Sequence, residues 1–233
     1  MIDRYSIALS PEELQEQMKV DIGKGFEKPR YNAAPTMSLP VVTMDNSTKL
    51  SVFVWGLMAR WSNNKAMSAK LFNVTLEQIL EKRGYTTALQ NRRCIVPMDG
   101  FFLWKPIAKK KRVPYYFYRE DKRLLFTAGI WEEADEFAED STPNFMIVTT
   151  PTNEDFKEYQ ENLPLILDEK NAAAWLTSDI EKNELASKLA QNQLPILSRH
   201  PVSPAISDKS RNDLDLIKPA KPADQFGNYT LFG

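Results

Sequence analysis

The chain has 233 residues, 42% of them hydrophobic and 26% charged, and a formal net charge of −1. This is an ordinary globular composition, enough for one large domain or two small ones, with no global field to draw it to DNA or a membrane. One cysteine (Cys94) and one histidine (His200) exclude an intramolecular disulfide and make any Ser-His-Asp or Cys-His site depend on His200. They also starve a His/Cys metal centre, so neither a metal nor a resident cofactor is expected. His200 lies in the Pro-rich stretch RHPVSP and reads as a surface or loop residue. The N-terminus carries Asp3 and Arg4 and is no signal peptide, and the longest apolar run, Val52 to Ala59, is too short to span a bilayer. A cytoplasmic protein without membrane contact is expected.

Arg4 to Leu9 reads as a short strand. Ser10-Pro11-Glu12-Glu13 then starts a helix with Ser as N-cap, Pro at N1 and Glu at N3, running to about Val20. Arg30 to Thr36 (RYNAAPT) reads as an irregular loop. Leu39 to Met44 and Leu50 to Gly56 are β-like, and Asp45 to Thr48 between them suits a hairpin. WGLMARW carries two tryptophans in seven residues, and Leu76 to Lys82 reads as a helix ending at Gly84. Asn91 to Trp104 (NRRCIVPMDGFFLW) is the organising stretch. It reads as strand, tight turn and strand, with Gly100 supplying turn freedom and the aromatics forming a cleft floor.

Lys105 to Arg112 is a basic turn. Pro114 to Arg119 and Arg123 to Trp131 are aromatic-rich strands, and Glu132 to Ser141 is an acidic excursion. Asn144 to Thr150 and Leu163 to Leu167 read as strands, with a short helix capped by Asn153 between them. Asp168 to Leu176 and Ser178 to Ala190 read as helices, the second with a capping box at Ser178 and Glu181. Many short strands and few helices predict an antiparallel-rich α+β domain with a curved or barrel-like sheet flanked by short helices. Residues 1–206 are expected to form that domain, and 207–233 a tail that hugs its surface.

YNAAPT, WGLMARW, Asn73 with Glu77, RRCIVPMDGFFLW, PYYFY, TAGIWEE, VTTPTN, NLPLIL and a late PVS occur in this order. As an ordered set they resemble the SOS-response-associated peptidase (SRAP) family, and the resemblance covers nearly the whole chain. It implies a protein of the DNA-damage (SOS) response that shields abasic sites in single-stranded DNA. In the family, a cysteine directly after the initiator methionine condenses with the ring-opened sugar to form a thiazolidine crosslink. A Glu in a GFYEW pattern and a His in an H-x-R-M-P pattern move protons, and an Asn in an NAR motif helps hold the site.

This chain departs at the reacting positions. The cysteine slot holds Ile2, the Glu slot Leu103 and the His slot Gln160, while Thr75 replaces the NAR arginine and Asn162 the arginine of the later motif. With nucleophile, acid/base and His all absent, the thiazolidine and autopeptidase chemistry is expected to be lost. Cys94, mid-strand, reads as a small apolar core residue rather than a substitute nucleophile. By resemblance Arg4, Asn73, Trp104 and Thr149 line the pocket or strand path, with Arg92, Arg93, Arg60 and Trp61 nearby. Such residues hold phosphates and stack bases without a covalent step.

The expected partner is therefore single-stranded or abasic DNA, bound non-covalently. The alternative is a fold-retaining protein-interaction or regulatory module without DNA. A hydrolase would need a nucleophile and base that are not in register. Lys109 to Arg112 invite phosphates or simply form a solvated tip. The C-terminal GNYTLFG partly resembles the peptide by which replication proteins bind the sliding clamp, through Asn228, Tyr229, Leu231 and Phe232. The bland alternative is that Leu231 and Phe232 staple the tail to its own domain.

Overall fold

A computed structural model of the protein describes residues 2–22, 26, 28–56, 71–134, 142–177 and 180–230. Helix α1 (Pro11–Met18) begins as its capping box requires. Ser10 Oγ accepts from the Glu13 N–H at 3.2 Å, and the Glu13 carboxylate accepts from the Ser10 N–H at 2.8 Å. It stops at Lys19, which takes a left-handed φ of 56°.

Among the described residues the strands form two sheets. The first has the order β13-β8-β7-β1-β2, from β1 (Tyr5–Ile7), β2 (Arg30–Ala33), β7 (Gly100–Ala108), β8 (Lys111–Tyr118) and β13 (Ser198–Pro201). The second contains β3 (Ser38–Thr43), β4 (Asn46–Trp55), β6 (Arg93–Met98), β9 (Leu125–Glu132) and β10 (Asn144–Pro151). Its chain of pairings runs β10-β4-β3-β6-β9, and β9 pairs back onto β10, so these strands close a ring. The expected barrel-like curvature is thus real closure, which removes sheet edges. Short β5 (Asn73–Thr75), β11 (Asn162–Pro164) and β12 (Ile166–Leu167) add to its rim.

Alternation along the strands sorts side chains into layers. Phe101 and Leu103 of β7, Cys94, Val96 and Met98 of β6, and Phe145 and Ile147 of β10 share the core between the sheets. Ile95, Met146 and Val148 face outward beneath α2 (Leu76–Glu81), α3 (Thr86–Asn91), α4 (Glu169–Trp175) and α5 (Lys182–Ala190). Phe102 and Tyr116 face the other way, covered by Val202, Ile206 and Leu216 of the C-terminal segment.

Several local readings change. RYNAAPT is not all loop: Arg30–Ala33 is a strand paired with β1, and the Asn32 amide donates to the Asp208 and Arg211 carbonyls at 2.9 and 3.2 Å. The α5 helix starts at Lys182 with Glu181 as N-cap and no side-chain cap bond, and Ser178 lies outside the described residues. Asn153 precedes a 3₁₀ turn, Glu154–Phe156, without capping it.

The largest correction concerns the organising stretch. β6 and β7 are not a hairpin. At Asp99 the chain crosses from one sheet to the other, and the hairpin lies further on, where β7 pairs β8 across Lys109 and Lys110. The corner is pinned through its buried carboxyl. Asp99 accepts from Ser6 Oγ and from the Ala8 N–H, and Tyr116 OH donates to it at 3.3 Å. Burial pushes that carboxyl above its ordinary value against these bonds. Gly100 serves close approach rather than a positive φ: a Cβ there would lie 2.3 Å from the Tyr116 ring.

Candidate nucleic-acid interface

Of the three positions expected to depart from the family pattern, Ile2 and Leu103 share one core cluster, while Gln160 lies on the turn before β11. Ile2 is fully buried and Leu103 is 1% exposed, both in the core between the sheets. Asn73, on β5, donates from Nδ2 to the Ile2 carbonyl at 2.6 Å and so anchors the N-terminal arm against the ring of strands. The Phe102 N–H donates to the Arg4 carbonyl at 3.1 Å, tying the same arm to β7. Gln160 donates to the Asn162 carbonyl across its own turn, at the mouth of β11. Thr149, buried on β10 beside Thr75, donates to the Val74 carbonyl at 3.3 Å. Nothing titratable occupies the reacting slots, since a hydrocarbon, a second hydrocarbon and an amide hold no proton to move.

The arm leaves polar atoms unanswered. Among the described residues eight buried side-chain N or O atoms have no hydrogen-bond partner. Four of them belong to the arm and its anchor: Asp3 Oδ1, Arg4 Nε, Tyr5 OH and Asn73 Oδ1. Arg4 pairs with Asp3 at 3.8 Å, and burial raises the carboxyl of Asp3 and lowers Arg4 from their ordinary values.

The predicted contact residues divide. Arg4, Asn73 and Thr149 gather around the arm and the β5–β10 pair. Trp104 does not join Leu103: adjacent residues on a strand face opposite ways, so Trp104 packs half-buried on the outer cluster of Phe102 and Tyr116. Arg93 is withdrawn by its surroundings. It is 1% exposed, its guanidinium donates to the carbonyls of Trp175 (2.6 Å), Leu89 and Thr177, and it lies 6.0 Å from the centre of the Trp175 ring. It finishes the C-termini of α3 and α4, where unpaired carbonyls and the helix dipoles favour a cation. Arg92 is paired with Glu132 at 3.0 Å. Arg60 and Trp61 lie outside the described residues, as do Leu231 and Phe232.

Trp55 is core, fully buried among Tyr5, Phe72 and Phe145. Cys94 is buried and its thiol is pushed up, which removes it as a nucleophile. His200 sits in strand β13 rather than a loop, bonded through Nε2 to the Ile217 carbonyl at 2.9 Å and flanked by Tyr116 and Tyr118.

Sequence reasoning missed the cleft beside these slots. Lys105, Tyr115, Glu158, Tyr159, Arg199 and Pro201 line a depression of about 470 Å³ that reaches Pro222. Tyr115 is the cross-strand partner of Leu103, and Tyr159 precedes Gln160, so the cleft abuts two of the altered slots. Lys105 lies 3.1 Å from Glu158, and its hydrogen bond holds that carboxyl below the ordinary value. Arg199 rests 5.6 Å from the centre of the Tyr159 ring, and its charge adds to that of Lys105 in holding Glu158 down. Two cations and two tyrosines in a concave site suit phosphate and base contact. The signal was present in the alternation: Lys105 is two residues beyond Leu103 on the same strand.

Comparison with known proteins gives a consistent answer. A family model described as SOS response associated peptidase (SRAP) matches residues 1–209. The chain is 26% identical over 222 residues to the abasic site processing protein YoqW of Bacillus subtilis, covering 94% of this chain and 99% of that one. It is 30% identical over 193 residues to the abasic site processing protein YedK of Escherichia coli, covering 82% of this chain and 84% of the relative. A solved protein from Bacteroides thetaiotaomicron shares the fold at 23% identity with a TM-score of 0.78, covering 93% of this chain and 99% of its own. By the match of its family model across the two sheets and the N-terminal arm, this chain belongs to the SRAP family.

Proposed function

We propose that this protein acts in the DNA-damage response by holding single-stranded or abasic DNA non-covalently, with the crosslinking and autopeptidase chemistry of its family lost. One observation carries the reading. The reacting slots are filled by Ile2 and Leu103, sealed in an apolar core, while the adjoining cleft keeps Lys105, Arg199, Tyr115 and Tyr159. Abasic site processing relatives make DNA the partner to test first.

Fluorescence anisotropy with single-stranded oligonucleotides, with and without an abasic site, tests the reading. Binding should weaken with salt, and Lys105→Gln or Arg199→Gln should each lower the log–log salt slope by about 0.7. A denaturation-resistant adduct with the abasic oligonucleotide, or one trapped by borohydride through the α-amine, would overturn the claim of lost chemistry.

A second reading, an interaction module without DNA, draws on a different observation. Arg92, Arg93 and Lys105 are all answered internally by carboxylates or carbonyls, which leaves fewer cations for phosphates. Absence of salt-dependent oligonucleotide binding would select it.

A further inference from the structure

The C-terminal segment folds back on the tip of the β7–β8 hairpin and forms a clamped turn. Within it the Asp224 N–H donates to the Asn228 carbonyl at 2.9 Å, the Gly227 N–H donates to the Asp224 carbonyl at 2.8 Å, and Gly227 takes φ 85°. The Asp224 side chain is fully buried beneath the turn. It accepts from the Phe226 N–H (3.0 Å), the Asn228 N–H (2.9 Å), Asn228 Nδ2 (3.1 Å) and Lys111 Nζ (3.3 Å). Gln225 fastens the turn to the hairpin. Its N–H donates to the Arg112 carbonyl at 3.1 Å, its Oε1 accepts from the Arg112 N–H at 2.7 Å, and its Nε2 donates to the Lys110 carbonyl at 2.5 Å.

All this hydrogen bonding holds in place two aromatic residues that the core does not use. Phe226 is 70% exposed and Tyr229 is 77% exposed. Around them Lys109, Lys110 and Arg112 are exposed, and none has an acidic partner among the described residues; only Lys111 is neutralised, by Asp224. Exposed aromatics on a fixed backbone, set among unpaired cations, match the chemistry of a single strand, whose bases stack and whose phosphates pair. The turn also continues the cleft, because Pro222 lines it and β7 runs from Lys105 to Ala108, directly before Lys109 in the hairpin turn.

We propose that Phe226 and Tyr229, with Lys109, Lys110 and Arg112, form a second contact platform on which single-stranded DNA leaving the Lys105–Arg199 cleft stacks its bases. The strand is the occupant because the patch is cationic as well as aromatic; a polypeptide groove would need no such charge. The platform rests on the single-strand reading of the cleft, and it fixes a direction for the strand past the altered slots.

The test uses the full chain with fluorescein-labelled dT5 and dT15, comparing wild type, the double variant Phe226→Ala/Tyr229→Ala, and the cleft variant Lys105→Gln/Arg199→Gln. Both aromatics are exposed, so the double variant should keep its fold, checked by its unfolding midpoint. The expected result is at least a tenfold loss of dT15 affinity in the double variant, with dT5 binding changed less than twofold. A 5-bromouracil at one end of dT15 should photocrosslink to the peptide containing Phe226 and Tyr229. Unchanged dT15 affinity in the double variant, with weakened binding in the cleft variant, overturns the platform and leaves the cleft reading standing. Loss in the double variant alone overturns the cleft, and with it the platform as a continuation of the cleft. Wild-type protein that binds neither oligonucleotide overturns both.

Discussion

Arg93 is the sharpest place to separate a structural cation from a DNA contact. Its guanidinium serves two helix ends at once: Leu89 lies in the last turn of α3, and Trp175 and Thr177 lie at and beyond the end of α4. Replacing it by Met keeps the apolar stem and removes the donors. Two buried carbonyls and the more exposed one of Thr177 then lose charge-assisted bonds, each contributing roughly 1.5–3 kcal/mol before the recovered desolvation of the charge is subtracted. Loss of the cation at two helix C-termini adds about 0.5–1 kcal/mol each. A net destabilisation of about 3–4 kcal/mol follows, or about 10 °C in Tm for a chain of this size. Urea unfolding followed by tryptophan fluorescence measures it, with Trp175 as the local reporter beneath the guanidinium. Oligonucleotide affinity of the folded protein should be unchanged. A Met variant that kept its unfolding midpoint and lost DNA binding would falsify the internal-cap assignment and return Arg93 to the groove.

Leu103→Glu places a carboxyl where the side chain is 1% exposed, amid the apolar core, and should cost about 3–5 kcal/mol with the acid held neutral. It should yield no adduct on a denaturing gel with abasic DNA, because Ile2 still supplies no thiol. Gly100→Ala forces a Cβ to within 2.3 Å of the buried Tyr116 ring. It should lower stability by about 2–3 kcal/mol in urea, and Tyr116→Leu should recover part of that loss in the double variant. Asp224 carries a pH prediction. Its burial works against ionisation, but bonds from Asn228, Phe226 and Lys111 hold the carboxyl at about 2, below the ordinary 3.8. A depressed acid stabilises the docked turn above pH 4, and that contribution disappears as pH falls from about 4 through 2. Limited proteolysis at the tail should therefore accelerate over that window in wild type, and already be fast at neutral pH in Asp224→Asn.

Local chemistry was readable where its causes are local. The capping box at Ser10 and Glu13, the β3–β4 hairpin, and the buried character of Cys94 each depend on residues near in sequence or on side-chain type alone. That Ile2, Leu103 and Gln160 carry no thiol, carboxyl or imidazole was equally legible, since side-chain type needs no coordinates. Pairing was not. NRRCIVPMDGFFLW has the pattern of two strands around a turn, yet β7 finds its neighbours in β1 and β8 while β6 finds its own in β3 and β9. A two-strand pattern fixes faces but leaves the choice of partner to distant segments.

The sequence by itself determined the family, the antiparallel-rich α+β class and the non-titrating side chains at positions 2, 103 and 160, because these follow from residue identity and order. Only the tertiary structure decided that Leu103 and Trp104 serve opposite layers and that Arg93 faces inward to two helix ends. It alone joined Lys105 to Arg199, 94 positions away, in one cleft, and set Phe226 and Tyr229 on the tip of a distant hairpin. The reason is common to all of these. Burial, and the carbonyls and carboxylates that answer each cation, are supplied by segments remote in the chain, and no local pattern records them.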